Sequence, residues 1–267
     1  MTCVACGGQR LHSMYLVLER AELARCVRCG HAVSVRVRSR RDHRSYGADS
    51  DALSRYEDTY LPARARTYAR GLEALGRPGH LLDVGANFGH FLAQAASAGW
   101  TVHGVELSSG ARAAALPDVA GRMHREIGDV AGSAPFDAIT MWDVLEHVDD
   151  PSPLLRRLAG LLADEGTIVI RVPDARALTA FTGLRAQLHL TLCHPTNPEE
   201  HPHHYTPSSL EAMGASCELS LERVLESLDD ERVVSARNRF DHRARAMLHR
   251  AAVGVPYEFT ATLRRAA

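Results

Sequence analysis

No lysine occurs in this chain; each of its 31 basic side chains is arginine. That pattern matches a GC-rich coding bias. It also withholds the lysines that, interleaved with aromatic residues, make a track for RNA, and aromatic residues are themselves only 6% of the chain. No excess of positive charge runs through the whole length, because acids and bases leave a net charge of −1. These absences give a polyanion little to hold. Long hydrophobic runs are missing as well. No stretch of about 18 apolar residues occurs, so no membrane-spanning helix and no membrane partner are expected. The opening residues MTCVACGG lack the apolar core of a signal peptide, and a cytoplasmic location is the expectation. In that compartment thiols stay reduced, so paired cysteines point to metal before disulfide. The length of 267 residues suits one medium domain with a small appendage.

What is present begins with segment 80–92, HLLDVGANFGHFL. Leu81, Leu82 and Val84 supply the apolar run of a buried strand. Gly85, Asn87 and Gly89 follow at alternate positions, and helical character starts at Phe91. A strand that breaks at glycines into a helix lets a ligand approach the backbone closely. Asp83, near the strand end, can hold a positively charged or hydroxylated ligand. Twenty-three residues later, segment 101–106, TVHGVE, reads as a second strand ending in Glu106. A carboxylate there suits two ribose hydroxyls. The pattern G-x-N-x-G lacks the third glycine of the dinucleotide fingerprint, which argues against a pyrophosphate ligand.

These residues resemble the first two motifs of the class I S-adenosylmethionine-dependent methyltransferases. The string D-x-L-E-H-x-x-D-P at 143–151 resembles the fourth motif of the group that includes the ubiquinone-pathway O-methyltransferases. The resemblance implies an α/β fold over 80–267, a doubly wound, seven-stranded Rossmann-like sheet that closes in an antiparallel hairpin. It implies S-adenosylmethionine as cofactor, with contacts from Asp83, Gly85, Asn87, Gly89, Glu106, Leu107, Trp142 and Asp143. It also implies that Asp129 accepts a hydrogen bond from the adenine amino group while Val130 packs on the ring. Read by itself, Asp129 is equally a cap or turn residue.

Asp143, Glu146 and His147 follow a predicted strand over 136–142, so they fall where ligands sit in a doubly wound sheet. Three roles stay open for them. His147 can act as a general base near neutrality. One helical turn would also put positions i, i+3 and i+4 on one side, and two carboxylates with an imidazole suit magnesium or manganese. A bound cation would lower the pKa of an acceptor hydroxyl. A similar E-x-x-E-H string with a distant histidine binds metal in the small-RNA 3′-end methyltransferases; here Asp stands first. The third role is structural. Segment 199–210, EEHPHHYTPSSL, offers His201, His203 and His204. By resemblance the His204-Tyr205-Thr206 triplet lines the acceptor pocket, and His204 joins Glu146 and His147 as a catalytic candidate. The other reading is a solvated polar loop.

Segment 1–47 repeats the pentad C-V-x-C-G at Cys3–Cys6 and Cys26–Cys29, spaced C-x2-C-x19-C-x2-C. Four thiolates so spaced can close a tetrahedron on a structural zinc ion. The same segment carries nine arginines against Glu19, Glu22 and Asp42, with Arg36, Arg38, Arg40, Arg41 and Arg44 close together. They read as a solvated strand edge, or else as a grip on a phosphate-bearing partner. Residues 48–79 read as a helical connector or lid stopped at Gly76, with Tyr56 and Tyr60 as packing or substrate contacts. An inserted helix is expected over 175–193, further strands over 217–225 and 257–265, and a helix over 239–252. Cys193 and Cys217 read as ordinary buried thiols.

The zinc ribbon joined to this methyltransferase pattern resembles bacterial enzymes acting on sugars and secondary metabolites. The expectation is therefore transfer of a methyl group to a small-molecule acceptor, with oxygen the first choice of atom. The alternatives are N- or C-methylation, an RNA methyltransferase gripping its substrate through the basic ribbon, and a non-catalytic binding module.

Overall fold

A computed structural model of the chain describes residues 1–16, 21–37, 51–176, 198, 200–226 and 258–266. Five strands run parallel in the larger sheet: β4 (His80–Val84), β5 (Thr101–Val105), β6 (Met123–His124), β7 (Phe136–Trp142) and β8 (Leu162–Pro173). Two more, β10 (Leu219–Glu226) and β11 (Glu258–Arg265), form an antiparallel pair, with β11 antiparallel to β8. The order is β10-β11-β8-β7-β4-β5-β6, the expected doubly wound sheet with its closing hairpin. Central strands covered on both faces must be apolar almost throughout. Leu81, Leu82, Ile139, Met141, Ile168, Val169 and Ile170 are all fully buried.

Helices cover both faces. On one lie α2 (Leu61–Leu75) and α3 (His90–Ser97), which bury Tyr68, Leu72, Phe91 and Leu92 with Trp142. On the other lie α6 (Pro151–Leu161) and α7 (Pro207–Ala215), with Leu155, Leu158, Leu210 and Met213. Gly71 of α2 has no room for a side chain, since a Cβ would stand 2.4 Å from the Trp142 ring. The short helices α4 (Ser109–Ala113) and α5 (Pro117–Ala120) follow β5. The connector splits into α1 (Ala52–Thr59) and α2, with Pro62 in the first turn of α2 and a left-handed Gly76 at its end.

Strand β6 stops after Met123–His124, because Glu126 and Asp129 form a capping box that starts a 3-10 helix, Ile127–Ser133. The histidine-rich stretch is not solvated: His201, His203, His204, Tyr205 and Thr206 are buried. Its strand β9 (His203–His204) adds to the smaller sheet, ordered β1-β2-β3-β9, after β1 (Leu11–Leu16), β2 (Ala21–Cys26) and β3 (Ala32–Arg36). All but the first two residues of the helix expected over 175–193 lie outside the described residues, as do the helix expected over 239–252, Cys193, Arg38, Arg40, Arg41 and Arg44. Among the described residues no helix is long and apolar enough to cross a membrane.

Candidate active site

Strands β4, β5 and β7 end side by side, and the motif residues gather at that edge. Asp83 of β4 lies opposite Thr140 of β7, whose hydroxyl donates to Asp83 Oδ1 at 2.7 Å. Burial pushes the Asp83 carboxyl up to about 8; the Thr140 hydrogen bond opposes that rise and the Glu106 charge adds to it. The chain then turns through Gly85, Asn87 and Gly89, at φ of 77°, 51° and 85°. Asparagine is among the few side chains that enter this left-handed region, which explains its place between the glycines. At Gly85 a Cβ would stand 2.4 Å from Val144, so the turn lies directly against the fourth motif.

Glu106, just past β5, receives two backbone amides. Asn87 donates to Oε2 at 3.0 Å and Ser108 to Oε1 at 2.8 Å. Leu107 beside it is 58% exposed, an unusual degree for a large apolar side chain. Asn87 Oδ1 is buried with no hydrogen-bond partner among the described residues. Val130 is buried, and Asp129 accepts the Glu126 amide at 2.9 Å as a cap, the alternative its local sequence had left open. Trp142 sits in the helical core against Tyr68 and Phe91, with ring centroids 5.4 and 5.1 Å away.

The trio Asp143, Glu146 and His147 does not share a helical turn. Asp143 leaves β7 at φ 54°, and the residues after it form a 3-10 helix, Leu145–His147. The Asp143 carboxylate turns to cations. It takes Arg171 Nη1 at 2.7 Å on each oxygen, and Arg64 of α2 pairs with it closely. Arg171, fully buried on β8, also pairs with Glu258 of β11. Burial works against the Arg64 charge, but Asp143, Tyr68, Glu258 and Tyr56 together outweigh it and raise the guanidinium pKa above its ordinary value.

His201 stands where Asp143 was expected. Ligand atoms of Glu146, His147 and His201 all lie within 4.8 Å of one another. The His147 and His201 rings are 4.7 Å apart. His147 Nδ1 lies 2.9 Å from the Glu200 carbonyl oxygen, which can only accept. In the neutral ring the proton therefore sits on Nδ1, and Nε2 carries the lone pair a base or a ligand needs. Both Glu146 oxygens are buried without a hydrogen-bond partner among the described residues. Burial, then the Asp143 charge, push this carboxyl well above its ordinary range, with Arg171 pulling the other way. His204 is one step removed: its ring centroid is 6.2 Å from that of His201, and its Nε2 meets Ser34 of the smaller sheet.

Cys3, Cys6, Cys26 and Cys29 form the other donor cluster, again with all ligand atoms within 4.8 Å. Cys3 and Cys29 sulfurs are 3.6 Å apart, as are those of Cys6 and Cys26. Four sulfurs about 2.3 Å from one zinc ion sit at nearly such separations, so the thiols fit the ion. Gly7 and Gly30 take φ of 68° and 76°, which lets each knuckle close on itself: Gly7 donates to the Cys3 carbonyl and Gly30 to that of Cys26.

A family model described as a methyltransferase domain matches residues 56–222. The chain belongs to this methyltransferase family. Its sheet order is that of the class I fold. The chain is similar to a ubiquinone biosynthesis O-methyltransferase of Xanthomonas campestris pv. campestris, 34% identical over 106 residues. That alignment covers 38% of this chain and 43% of the relative, so the chain spans under half the length of the relative it matches. Among solved structures it is similar to Haemonchus contortus phosphoethanolamine N-methyltransferase 2 in complex with S-adenosylmethionine. There the TM-score is 0.58 at 16% identity, covering 88% of this chain and 62% of that one. It is also similar to Burkholderia thailandensis 1,6-didemethyltoxoflavin-N1-methyltransferase, with a TM-score of 0.50 at 18% identity, covering 91% and 98%. At such identities these two show the fold.

Three charged residues beside the candidate site had escaped the motif reading. Arg171 had a signal, a lone charge inside the otherwise uncharged strand segment 166–173. Glu258 opens a strand more than 80 residues away, and nothing local couples the two. Arg64 is one arginine in a chain where every base is arginine, so residue type alone could not single it out.

Proposed function

We propose that the chain is an S-adenosylmethionine-dependent methyltransferase of a small-molecule acceptor, with oxygen the favoured atom. The supporting observation is the sheet edge that sets Asp83 and Glu106 on one side and Glu146, His147 and His201 on the other. When bound, S-adenosylmethionine supplies a methyl group on a positively charged sulfur, already activated for displacement. Glu106 presents a carboxylate of fixed orientation to paired hydroxyls. Leu107 offers an apolar surface to a flat ring. Asp83 offers a carboxyl that a nearby cation turns into a carboxylate. The loop through Asn87 brings backbone close to whatever lies across the edge. What the chain supplies to the transfer is mainly alignment and exclusion of water.

Proton removal is the second contribution. With its Nδ1 proton given to the Glu200 carbonyl, the neutral His147 ring presents its basic nitrogen at Nε2, and the same carbonyl stabilises the ring once it is charged. In this reading His147 takes the proton from the acceptor hydroxyl. The unpartnered Glu146 carboxyl favours a second reading, a divalent cation held by Glu146, His147 and His201. Such an ion would lower the hydroxyl's pKa directly. One carboxylate and two imidazoles make a softer set than the two carboxylates expected from sequence, and they shift the choice from magnesium toward manganese or zinc. The four cysteines would hold a structural zinc ion that folds the ribbon, with no open position for chemistry.

The acceptor belongs to the small hydroxylated molecules of sugar or natural-product chemistry in this reading. A transfer assay with labelled cofactor over such acceptors, with RNA as the counter-case, tests it. His147→Ala is expected to lower turnover by about two orders of magnitude with cofactor binding kept, as for loss of a general base. Unchanged turnover would remove His147 from that role. Loss on chelation and recovery with manganese would favour the cation. Methylated RNA, with a steep fall in binding as salt rises, would replace the small acceptor.

A further inference from the structure

The ribbon does more than append a metal knuckle, because three ties join it to the chain that faces Glu146 and His147. The first runs through two histidines. His203 Nε2 lies 3.0 Å from the Asp149 carbonyl oxygen, which can only accept, so His203 is protonated there. Its Nδ1 shares a hydrogen bond with His31 Nε2, 3.1 Å away on the ribbon. The second tie is Thr206, whose hydroxyl donates to the Cys29 carbonyl at 2.6 Å. The third is Ser34, buried on β3. Its amide donates to the Pro202 carbonyl at 3.0 Å, and its hydroxyl donates to the His201 carbonyl at 2.8 Å. That hydroxyl has one proton. Its 3.0 Å contact with His204 Nε2 must therefore run the other way, with His204 donating. His204 is buried, and this contact selects the form of its ring that carries the proton on Nε2.

We infer that Ser34 is a positioning residue of the active site: from the ribbon it holds His201 against His147 and fixes the tautomer of His204. The inference rests on the site reading above for its consequence, although the placement itself can be measured without an acceptor. The backbone pairing of β3 with β9 brings the two segments into register, and the hydroxyl sets the histidines within that register. Alanine keeps the strand and removes both side-chain bonds. Threonine keeps a hydroxyl at the same carbon.

The experiment uses the full chain, labelled with nitrogen-15, and reads the histidine rings by NMR. In the wild type, His204 is expected to give the Nε2–H pattern, and ring protons of His147 and His201 to show a cross-relaxation peak. Ser34→Ala should lose that peak and mix the His204 tautomers, while S-adenosylhomocysteine binds as in the wild type. Ser34→Thr should restore both signals. A Ser34→Ala chain that keeps the peak and the single tautomer would overturn the inference, and so would a wild type showing Nδ1–H at His204. Should Ser34→Ala fail to fold, the wild-type spectrum and Ser34→Thr still decide. His201→Gln with undiminished methyl transfer would instead reject His201 as a site residue, leaving the ring spectra to judge Ser34.

Discussion

Cys3, Cys6, Cys26 and Cys29 come from two copies of one pentad, each closed by its own glycine turn, one ahead of β1 and one between β2 and β3 of a small sheet. Glu146, His147 and His201 come from one end of β7 and from a segment more than 50 residues later, which the ribbon sheet captures as a fourth strand. The first cluster needs only its own loop geometry. The second needs the first, because Tyr205 and Leu210 share one apolar core with Cys3, Cys26 and Cys29. A donor set written locally thus supports one assembled from a distance, and the comparison can be tested from either side.

The largest effect is expected at the cysteines. Structural zinc contributes on the order of 10 kcal/mol to small metal-folded units. Cys26→Ser should therefore lower the thermal midpoint of the whole chain, read by circular dichroism, and weaken β9 along with the ribbon. If only the ribbon signals were lost, the two clusters would be independent.

Asp83 gives a middle-sized effect with a defined sign. Its folded value of about 8 lies above the ordinary 3.8, so between those values the folded chain holds a proton that the unfolded chain has released. Stability should fall as pH rises through that window and level off above it. Asp83→Asn removes this slope, so its urea midpoint should exceed that of the wild type at pH 8 and match it more closely at pH 4. The same variant should bind cofactor poorly. A wild-type midpoint independent of pH, beside an unchanged variant, would mean that Asp83 titrates normally. Leu107→Ala should show the smallest effect, about a tenfold weaker cofactor for roughly 1–1.5 kcal/mol of lost apolar contact, by calorimetry.

The same comparison explains what could be read before the fold was seen. Asp83, the glycine turn and Glu106 lie on consecutive strand ends, where spacing along the chain is spacing in space. The cysteine pentads repeat, and repetition is a local signal. The site at His147 was legible only in its first half. Asp143 seemed to belong with Glu146 because a helical turn was assumed, whereas a left-handed residue and a 3-10 turn send it to Arg171 and Arg64. His201, rather than His204, faces His147 because β9 pairs with β3 in a register no sequence period records. Fifteen histidines in one chain made residue type a poor guide among them.

The central claim is that Glu106, held by the amides of Asn87 and Ser108, receives a ribose at the edge of the sheet. Titration of S-adenosylhomocysteine into the wild type and Glu106→Gln by calorimetry tests it most directly. The wild type is expected to bind at micromolar affinity and the variant about 100-fold more weakly, since hydrogen bonds to a charged group contribute about 1.5–3 kcal/mol each. Equal affinity in the two proteins, or a wild type that ignores the nucleoside, would contradict it.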